Sequence, residues 1–253
     1  ALPTAWDAIA ADFDPGPANY NLTAVFSNEV FISKLDPQGN FVWAKRMGGP
    51  GLDIGDGLAI GDSNQVYITG FFQQTADFDP GAATYNLTSA GGSDIFISRL
   101  DSNGIFNWAK RIGSTGTESG AAIVLDNQGN VYTTGDYFGT VDFDPGTGIH
   151  NIVSNGVDVF LSKLSPAGNY SWSGKVSGSG NDYGACLTSN AKGNVYIGGS
   201  FEASCDFDPG TATYNLTSGG NADAFVMKLG ACTSSSSISA TACSSYTSPS
   251  GNH

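Results

Sequence analysis

Basic residues are scarce in this 253-residue chain, and long apolar runs are missing. Only 10 Lys and Arg stand against 23 Asp and Glu, which gives a formal net charge of −13. Such a surface repels phosphate backbones and anionic lipids, so neither nucleic-acid partners nor membrane-surface binding is expected. No apolar run approaches the roughly 18–20 residues of a membrane-spanning helix, so membrane insertion is not expected either. No charged-then-apolar leader is present, and Ala1 is expected to be a processed or trimmed end.

Catalytic signatures are also missing. The two histidines are His150 and His253, and neither lies in a Ser/His/Asp context. No Gly-x-Ser-x-Gly, His-Glu-x-x-His or glycine-rich phosphate loop follows a strand and opens a helix. A carboxylate pair across a central channel could act as in a glycoside hydrolase, but turns explain the many Asp residues more simply. The sequence therefore predicts that the protein is not an enzyme.

Cysteines are few and confined to the C-terminal third of the chain, at Cys186, Cys205, Cys232 and Cys243. No Cys-x-x-Cys or Cys/His cluster indicates zinc. Disulfides are therefore favoured over free buried thiols, and they indicate an oxidising compartment. Four cysteines allow three pairings, and their positions along the chain favour Cys186–Cys205 and Cys232–Cys243.

What the chain does contain is a long internal repeat. The string Asp-Phe-Asp-Pro-Gly begins at Asp12, Asp77, Asp142 and Asp206, in steps of 65, 65 and 64 residues. Three other landmarks keep this step: the strings VYITG, VYTTG and VYIGG; the strings EVFISKL, DIFISRL, DVFLSKL and DAFVMKL; and Trp43, Trp108 and Trp172. Such self-similarity is the signature of a repeat architecture.

Each repeat is predicted to hold four short strands, as in Asp94–Leu100, Phe106–Ile112, Ala121–Leu125 and Val131–Thr134. The stretch Ala76–Ser89 is interpreted as an elaborated hairpin inserted between two strands. Four antiparallel strands repeated head to tail are what a propeller blade requires. The predicted fold is therefore all-β: a small β-propeller of 64–65-residue blades, three complete and a fourth split between the chain ends.

The predicted domains are a propeller over residues 1–229 and a Ser/Thr-rich tail over residues 230–253. The repeat units run over residues 29–93, 94–157 and 158–222, and the split unit combines residues 1–28 with 223–229. Strand counting leaves this fourth blade two strands short. Two β-competent stretches of the tail, Ser237–Ala242 and Ser244–Thr247, could supply the missing pair in the same ring or in a neighbouring molecule.

Three motifs resemble the SBBP-type bacterial β-propeller repeat: Asp-x-Phe-[Ile/Val]-x-Lys-Leu, Gly-x-x-x-Trp-x-Lys, and Gly-Asn-Val-Tyr-x-[Thr/Gly]-Gly. The Asp-Phe-Asp-Pro-Gly string resembles a variant common in secreted proteins of the Bacteroidota. The tail SISATACSSYTSPSGN resembles a linker repeat of type IX-secreted surface proteins. The resemblance covers Ala1 to about Leu229 and implies a propeller at the bacterial cell surface, but it implies little about activity. The chain has too few repeats for a six- or seven-bladed ring.

The Asp-Phe-Asp-Pro-Gly loops are the best candidates for a metal site. Their carboxylates recur in pairs, Asp12/Asp14, Asp77/Asp79, Asp142/Asp144 and Asp206/Asp208. Paired carboxylates before a tight turn suit calcium, which takes 6–8 oxygen ligands. The alternative is an Asx-turn, in which the Asp oxygens accept backbone N–H groups and the Phe anchors the loop. The spacing does not match an EF-hand loop, so both interpretations stay open.

Two further motifs have structural alternatives. Asn21, Asn86 and Asn215 match the N-glycosylation pattern Asn-x-[Ser/Thr], but they recur because the repeat recurs, and a plain strand is favoured. The recurring Trp residues could form a sugar-stacking platform, but equal positions in every blade favour packing between blades.

The sequence predicts an extracellular structural or adhesive propeller that binds copies of itself. An incomplete blade has open strand edges, and the tail of the next molecule could fill them head to tail, as in a filament. A monomeric module that binds a glycan or a surface protein is the first alternative. A glycoside hydrolase-like enzyme is the second.

Overall fold

A computed structural model describes residues 10–25 and 28–229, together with the backbone of residues 238–242. The described residues hold eighteen β-strands and no helix, so they contain no helix that could cross a membrane. The predicted all-β fold is confirmed. The chain divides into two compact units, Ala1–Ser119 and Gly120–His253.

Unit 1 contains ten strands that form four separate sheets. In chain order they are β1 (Ala10–Asp12), β2 (Asn21–Thr23), β3 (Val30–Leu35), β4 (Phe41–Met47), β5 (Ile54–Ile60), β6 (Val66–Phe72), β7 (Thr75–Asp77), β8 (Asn86–Thr88), β9 (Asp94–Leu100) and β10 (Phe106–Ile112).

The largest sheet of unit 1 is antiparallel, in the order β5–β6–β9–β10, and is called module 1 below. Its central ladder pairs β6 with β9, from Val66 opposite Leu100 to Phe72 opposite Asp94. The hairpin β7–β8 is inserted between these two strands, as the sequence predicts. Almost every residue of β6 and β9 is buried, because both faces of this central pair are covered.

A second, smaller group of strands precedes module 1 and is called the half-module. It consists of the two-stranded sheet β3–β4, which corresponds to β9–β10, and the hairpin β1–β2, which corresponds to β7–β8. The described residues contain no counterparts of β5 and β6 beside it.

Unit 2 contains the other eight strands, the first of which begins at the unit boundary. They are β11 (Ser119–Leu125), β12 (Val131–Asp142), β13 (Asn151–Leu164), β14 (Tyr170–Gly178), β15 (Tyr183–Ser189), β16 (Val195–Asp206), β17 (Asn215–Leu229) and β18 (Ile238–Ala242). The strands β11–β14 form module 2, and β15–β18 form module 3. A short β14–β16 ladder joins the two modules at Gly178 and Cys205.

The modules show at which strand each structural repeat begins and ends. Each module starts with the small apolar strand and ends with the Trp-type strand or its replacement. The repeat units counted from the sequence begin at the third strand, and so they cut each module in half.

The tail supplies the last strand of module 3. Strand β18 pairs antiparallel with β17 of the same chain, from Phe225 opposite Ala242 to Leu229 opposite Ile238. It takes the place that β10 and β14 take in the other modules. The predicted strand Ser237–Ala242 is thus observed almost to the residue, within its own chain. The second predicted stretch, Ser244–Thr247, lies outside the described residues.

This placement of the tail predicts the exchange behaviour of β17. Deleting residues 230–253 should raise hydrogen exchange at alternate amides of Phe225–Leu229, because those amides lose their partners on β18. In the full chain their protection should not depend on protein concentration, since the two strands belong to one molecule. Mass spectrometry of exchange at several dilutions measures both effects. Protection that disappears on dilution would instead place the tail strand on a neighbouring molecule.

Candidate functional site at the open edge of β3

One edge of β3 carries no strand among the residues that the structure describes. Its other edge pairs with β4, from Val30 opposite Met47 to Leu35 opposite Phe41. The corresponding strand β9 is covered on both sides, by β6 and β10. An uncovered edge presents a row of unpaired backbone N–H and C=O groups, which can accept another strand.

Apolar side chains on β3, which has one neighbouring strand among the described residues, are more exposed than their counterparts in module 1. Phe31 is 60% exposed, whereas Phe96, at the same repeat position in module 1, is fully buried. Leu35 is 47% exposed, and its counterpart Leu100 is fully buried. The same sequence pattern therefore forms core where the ladder is complete and surface where it is not.

The open edge borders an apolar groove of about 400 Å³ within unit 1. Its apolar lining consists of Ile32, Leu35, Trp43, Leu58, Ile60 and Val66. Leu58 is 55% exposed there, although its counterpart Ile123 in module 2 is 6% exposed. The groove is lined by residues of β3 and β4 on one side and of β5 and β6 on the other.

Trp43 forms one wall of this groove. Its indole Nε1 donates a hydrogen bond to the carbonyl of Ser102 over 3.3 Å, and the Lys34 ammonium donates to the same carbonyl over 2.9 Å. Trp108 and Trp172 are partly buried, the former edge-on against Tyr67 and the latter beside the core of unit 2. All three Trp rings therefore pack against neighbouring parts of their own units.

The Asp-Phe-Asp-Pro-Gly loops share one hydrogen-bond pattern. In the loop after β7, Asp77 Oδ1 accepts the N–H groups of Asp79 and Tyr85, and Asp79 Oδ1 accepts that of Gly81. The other three loops repeat these contacts at Asp12 and Asp14, at Asp142 and Asp144, and at Asp206 and Asp208. Because one oxygen of each carboxylate satisfies backbone donors, the loops are Asx-turns.

Calcium binding at these loops stays a prediction. Each loop brings two carboxylates together, and the described residues contain no group of three or more His, Cys, Asp or Glu side chains arranged to hold a metal ion. The loop hydrogen bonds do lower the pKa of Asp12, chiefly through the backbone N–H of Tyr20. They account for the recurrence of the loops without a cation.

The glycosylation candidates lie opposite the first Asp of each loop. Asn21, Asn86 and Asn215 pair across their hairpins with Asp12, Asp77 and Asp206, and all three Asn side chains are exposed. His150 belongs to the third loop, where its ring stacks on Tyr170 and its N–H donates to Asp142. His253 lies outside the described residues.

The predicted Cys186–Cys205 disulfide is wrong for this structure, in which both thiols are free. Cys186 on β15 lies opposite Gly198 on β16, and Cys205 lies seven residues further along β16. At about 3.3 Å per residue that separation is on the order of 20 Å, far beyond the roughly 7 Å limit between Cα atoms of a disulfide. Cys186 is exposed, whereas the buried Cys205 donates to Asp182. Cys232 and Cys243 lie outside the described residues.

Sequence reasoning missed a set of buried carboxylates that recurs with the repeat. In each pair, one acidic residue lies near the start of a module's third strand or within that strand. The other lies directly before the first strand of the module that follows in the chain. The pairs are Glu29 with Asp53, Asp94 with Glu118, and Asp158 with Asp182. A common spacing of 65 and 64 residues along the chain was the available signal.

In two of these pairs an arginine forms an ion pair with one of the carboxylates. Arg46 forms an ion pair with Glu29, and Arg111 forms one with Asp94. Burial raises the pKa of Glu118, and the nearby charge of Asp94 raises it further. A backbone hydrogen bond also lies beside the Asp94–Glu118 pair, since the N–H of Glu118 donates to the carbonyl of Ser93 over 3.0 Å.

The third pair departs from this pattern. Lys175 stands where the other modules have arginine, and its ammonium donates to the carbonyl of Val153. The buried Asp158 carboxylate and the Tyr137 hydroxyl make no well-aligned hydrogen bond among the described residues, although the backbone N–H groups of Asn155 and Gly178 lie close enough to lower the pKa of Asp158. Burial raises the pKa of Asp158 to about 6, although the Lys175 charge opposes the shift.

Comparison with known proteins gives distant likenesses. No family model matches the chain. The chain is 25% identical over 217 residues to an uncharacterized WD repeat-containing protein of Acanthamoeba polyphaga mimivirus, covering 73% of this chain and 15% of that protein. It is 25% identical over 146 residues to the regulatory protein FlaEY of Caulobacter vibrioides, covering 56% of this chain and 14% of that protein. The chain therefore spans about one seventh of the length of these relatives.

The Asx-turns predict how Asp77 contributes to stability. Asp77→Ala removes the acceptor of two backbone N–H groups and should lower the free energy of unfolding by about 1–3 kcal/mol. Asp77→Asn keeps an oxygen at the same place and should lose much less. Chemical denaturation of the two variants measures the difference. A calcium site would reverse this outcome, since Asn would then cost nearly as much as Ala and a chelator would lower the melting midpoint.

The raised pKa of Asp158 predicts a pH dependence in unit 2. Between about pH 4 and pH 6 the folded chain holds this proton more tightly than the unfolded chain, so stability falls as pH rises through that window. Asp158→Asn should flatten this slope and raise stability at pH 7 by about 1–3 kcal/mol. Urea unfolding at several pH values measures both effects.

The matched control is Asp94→Asn, at the same repeat position, which removes the ion pair with Arg111 and should lower stability at pH 7. A loss of stability in Asp158→Asn at pH 7 would contradict the assignment of Asp158 as a buried carboxyl whose charge lowers stability.

Proposed function

We propose that this chain is a non-enzymatic structural module of a β-propeller-type protein that builds assemblies by adding a strand of another molecule to the open edge of β3. The observation that carries the proposal is the 60% exposure of Phe31 at a position that is fully buried in module 1. An exposed apolar edge of this kind is normally covered or blunted.

The propeller architecture is the finer part of this proposal. Three four-stranded antiparallel modules recur in the described residues at the 64–65-residue step of the sequence, the second and third joined in one eight-stranded sheet. Propeller blades are four-stranded sheets of this kind, and WD repeats are one of their sequence families. The likeness to a WD repeat-containing protein supports the same interpretation. On this view the modules are blades, and the half-module is the part of a further blade that the described residues contain.

The route of assembly differs from the one expected from the sequence. Strand β18 of the tail already pairs with β17 of its own chain, so this strand is not free to join a neighbour. Among the described residues, β3 in unit 1 has one edge without a strand, and addition at this edge needs an extended strand from a second molecule.

The buried acidic groups support a role that does not involve catalysis. Asp53, Glu118 and Asp182 are fully buried and accept backbone or hydroxyl donors at module junctions. Such contacts hold strands together. The proposed location outside a bacterial cell rests on the resemblance to secreted repeats and on the acidic composition of the chain.

Glycan binding is a second candidate because of one pocket at the hairpins of unit 1. The pocket has a volume of about 190 Å³, and its lining includes Tyr20, Lys45, Asp77 and Asp79. The Tyr20 ring is stacked on Phe41 at 4.7 Å between centroids and is 38% exposed. An aromatic face beside polar groups is the chemistry that binds sugar rings.

Light scattering over a range of concentrations tests the proposed assembly. The full chain should self-associate, and Phe31→Lys should remain monomeric because it places a charge on the accepting edge. Phe31 is 60% exposed, and its ring packs on that of Phe13 with 4.9 Å between centroids, so the melting midpoint of the variant is measured as well and should fall by only a few degrees.

The control for this experiment is Ile149→Lys, which makes the same change of charge at a side chain that is 78% exposed and lies on a hairpin of unit 2. Its association should match that of the unchanged chain. A monomer at every concentration would overturn self-assembly, and binding of a glycan by that monomer would favour the second candidate.

A further inference from the structure

We infer that the pocket at the hairpins of unit 1 binds one uncharged sugar ring that carries an N-acetyl group. This inference rests on the second candidate function, glycan binding, and names the class of sugar; it does not depend on strand addition at β3. Its basis is that a free backbone edge, an aromatic ring and a loop with two carboxylates meet in one pocket.

The pocket lies along the outer edge of β4, the edge that does not pair with β3. Two walls are fixed to this edge by hydrogen bonds. The Tyr20 hydroxyl donates to the carbonyl of Ala44 over 3.3 Å. Further along the strand, Gly48 and Asp77 exchange two backbone hydrogen bonds of 3.0 Å each. The hairpin β1–β2 therefore bounds one end of the pocket, and the loop after β7 bounds the other.

Between these two fixed points the backbone of Arg46 faces the pocket. The N–H and C=O groups of successive strand residues point alternately to the two edges of the strand. Because the carbonyl of Ala44 and both backbone groups of Gly48 point outward, Arg46 between them also points outward. No described residue forms a hydrogen bond with these two groups of Arg46. The pocket thus offers one uncharged donor and one uncharged acceptor.

The loop after β7 adds acceptors of hydrogen bonds. In Asp77 and Asp79 the Oδ1 atoms accept backbone N–H groups, and no hydrogen bond within the described residues reaches either Oδ2 atom. Both residues line the pocket. Because the loop is held by its own hydrogen bonds, these acceptors are ordered before a ligand binds. The two carboxylates repel an acidic sugar, as does the net charge of −13.

The Tyr20 ring supplies a surface for the sugar ring. It is 38% exposed, and its stacking on Phe41 and the hydrogen bond of its hydroxyl hold it in place. The C–H face of a sugar ring packs on such an aromatic face. The pocket volume of about 190 Å³ lies below the roughly 300–1,000 Å³ of pockets for drug-sized ligands, so it suits a single ring.

An N-acetyl group matches the polar groups of the pocket. A secondary amide has its carbonyl oxygen and its N–H on opposite sides, because the amide bond is planar and trans. The carbonyl oxygen accepts the N–H of Arg46, and the amide N–H donates to a carboxylate of the loop. The acetyl methyl packs on apolar atoms of the lining residues Leu22, Met47 and Pro80. A free ammonium group in place of the amide cannot accept the N–H of Arg46.

The closing experiment titrates the isotope-labelled full chain with sugars and follows the backbone amide signals by NMR. N-acetylglucosamine should bind at millimolar concentrations and shift the amide signal of Arg46. Glucose, which lacks the amide, and glucosamine, which carries an ammonium group, should each bind roughly ten-fold more weakly. All three titrations use the unchanged chain, so their comparison does not depend on how a variant folds.

A first pair of variants tests the aromatic wall. Tyr20→Leu should weaken binding of N-acetylglucosamine by at least roughly five-fold, because the face that packs on the sugar ring is lost. The matched control is Tyr214→Leu, the same change at the same repeat position in unit 2, where the side chain is 44% exposed. It should leave binding unchanged.

A second pair of variants tests the backbone donor. Arg46→Pro and Arg46→Ala both remove the ion pair with Glu29, but only proline removes the N–H. Arg46→Pro should therefore bind N-acetylglucosamine roughly ten-fold more weakly than Arg46→Ala. An outward-facing position of an edge strand tolerates proline, and the melting midpoints of both variants show that they are folded.

The outcomes separate this inference from glycan binding itself. Equal binding of glucose and N-acetylglucosamine, both weakened by Tyr20→Leu, would overturn the choice of sugar and leave glycan binding intact. Tighter binding of glucosamine would also overturn it. Equal binding of an acetylated amino-acid amide would show that the site recognises the amide without the sugar ring. Failure of every sugar to bind would overturn both the inference and glycan binding.

Discussion

Each module depends on the ladder between its second and third strands. In module 1 this ladder joins β6 to β9, and nearly all of its side chains are buried on both faces. Burial of one large apolar side chain contributes about 1.5–3 kcal/mol, so a ladder with several of them outweighs any single loop contact. Phe96 is fully buried in this ladder, and Phe31, its counterpart without one, is 60% exposed. The open site is therefore the core of a module with one strand pair absent among the described residues.

Hydrogen bonding inside the loops explains much of the acidic composition. In each Asp-Phe-Asp-Pro-Gly loop the two carboxylates accept backbone N–H groups, as Asp206 does from Asp208 and Tyr214. The Phe between them, Phe207, is fully buried and packs on Phe201 and Phe225. The loop thus anchors the inserted hairpin to the central ladder.

The sequence predicted local features well and long-range pairing poorly. The strands Asp94–Leu100 and Phe106–Ile112 were predicted with the bounds that the structure has, because alternation and turns are local signals. Composition alone could not show that the tail pairs with β17 of its own chain, because a short strand could equally well complete the sheet of a neighbouring molecule. The predicted Cys186–Cys205 disulfide failed because closeness in sequence says nothing about separation along a ladder. Glu29 and Asp53 lie 24 residues apart and meet only through the fold.

Two strand edges that have no partner among the described residues differ in character. Strand β18, at the edge of module 3, is five residues long and reads Ile-Ser-Ala-Thr-Ala, so it is short and, apart from Ile238, made of small side chains. Short edge strands are a common means of preventing unwanted pairing. The edge of β3 instead exposes Phe31 and Leu35 beside an apolar groove. If both edges served only to terminate a sheet, both should resist pairing with another strand. The apolar character of the β3 edge is therefore the reason to regard it as an accepting surface.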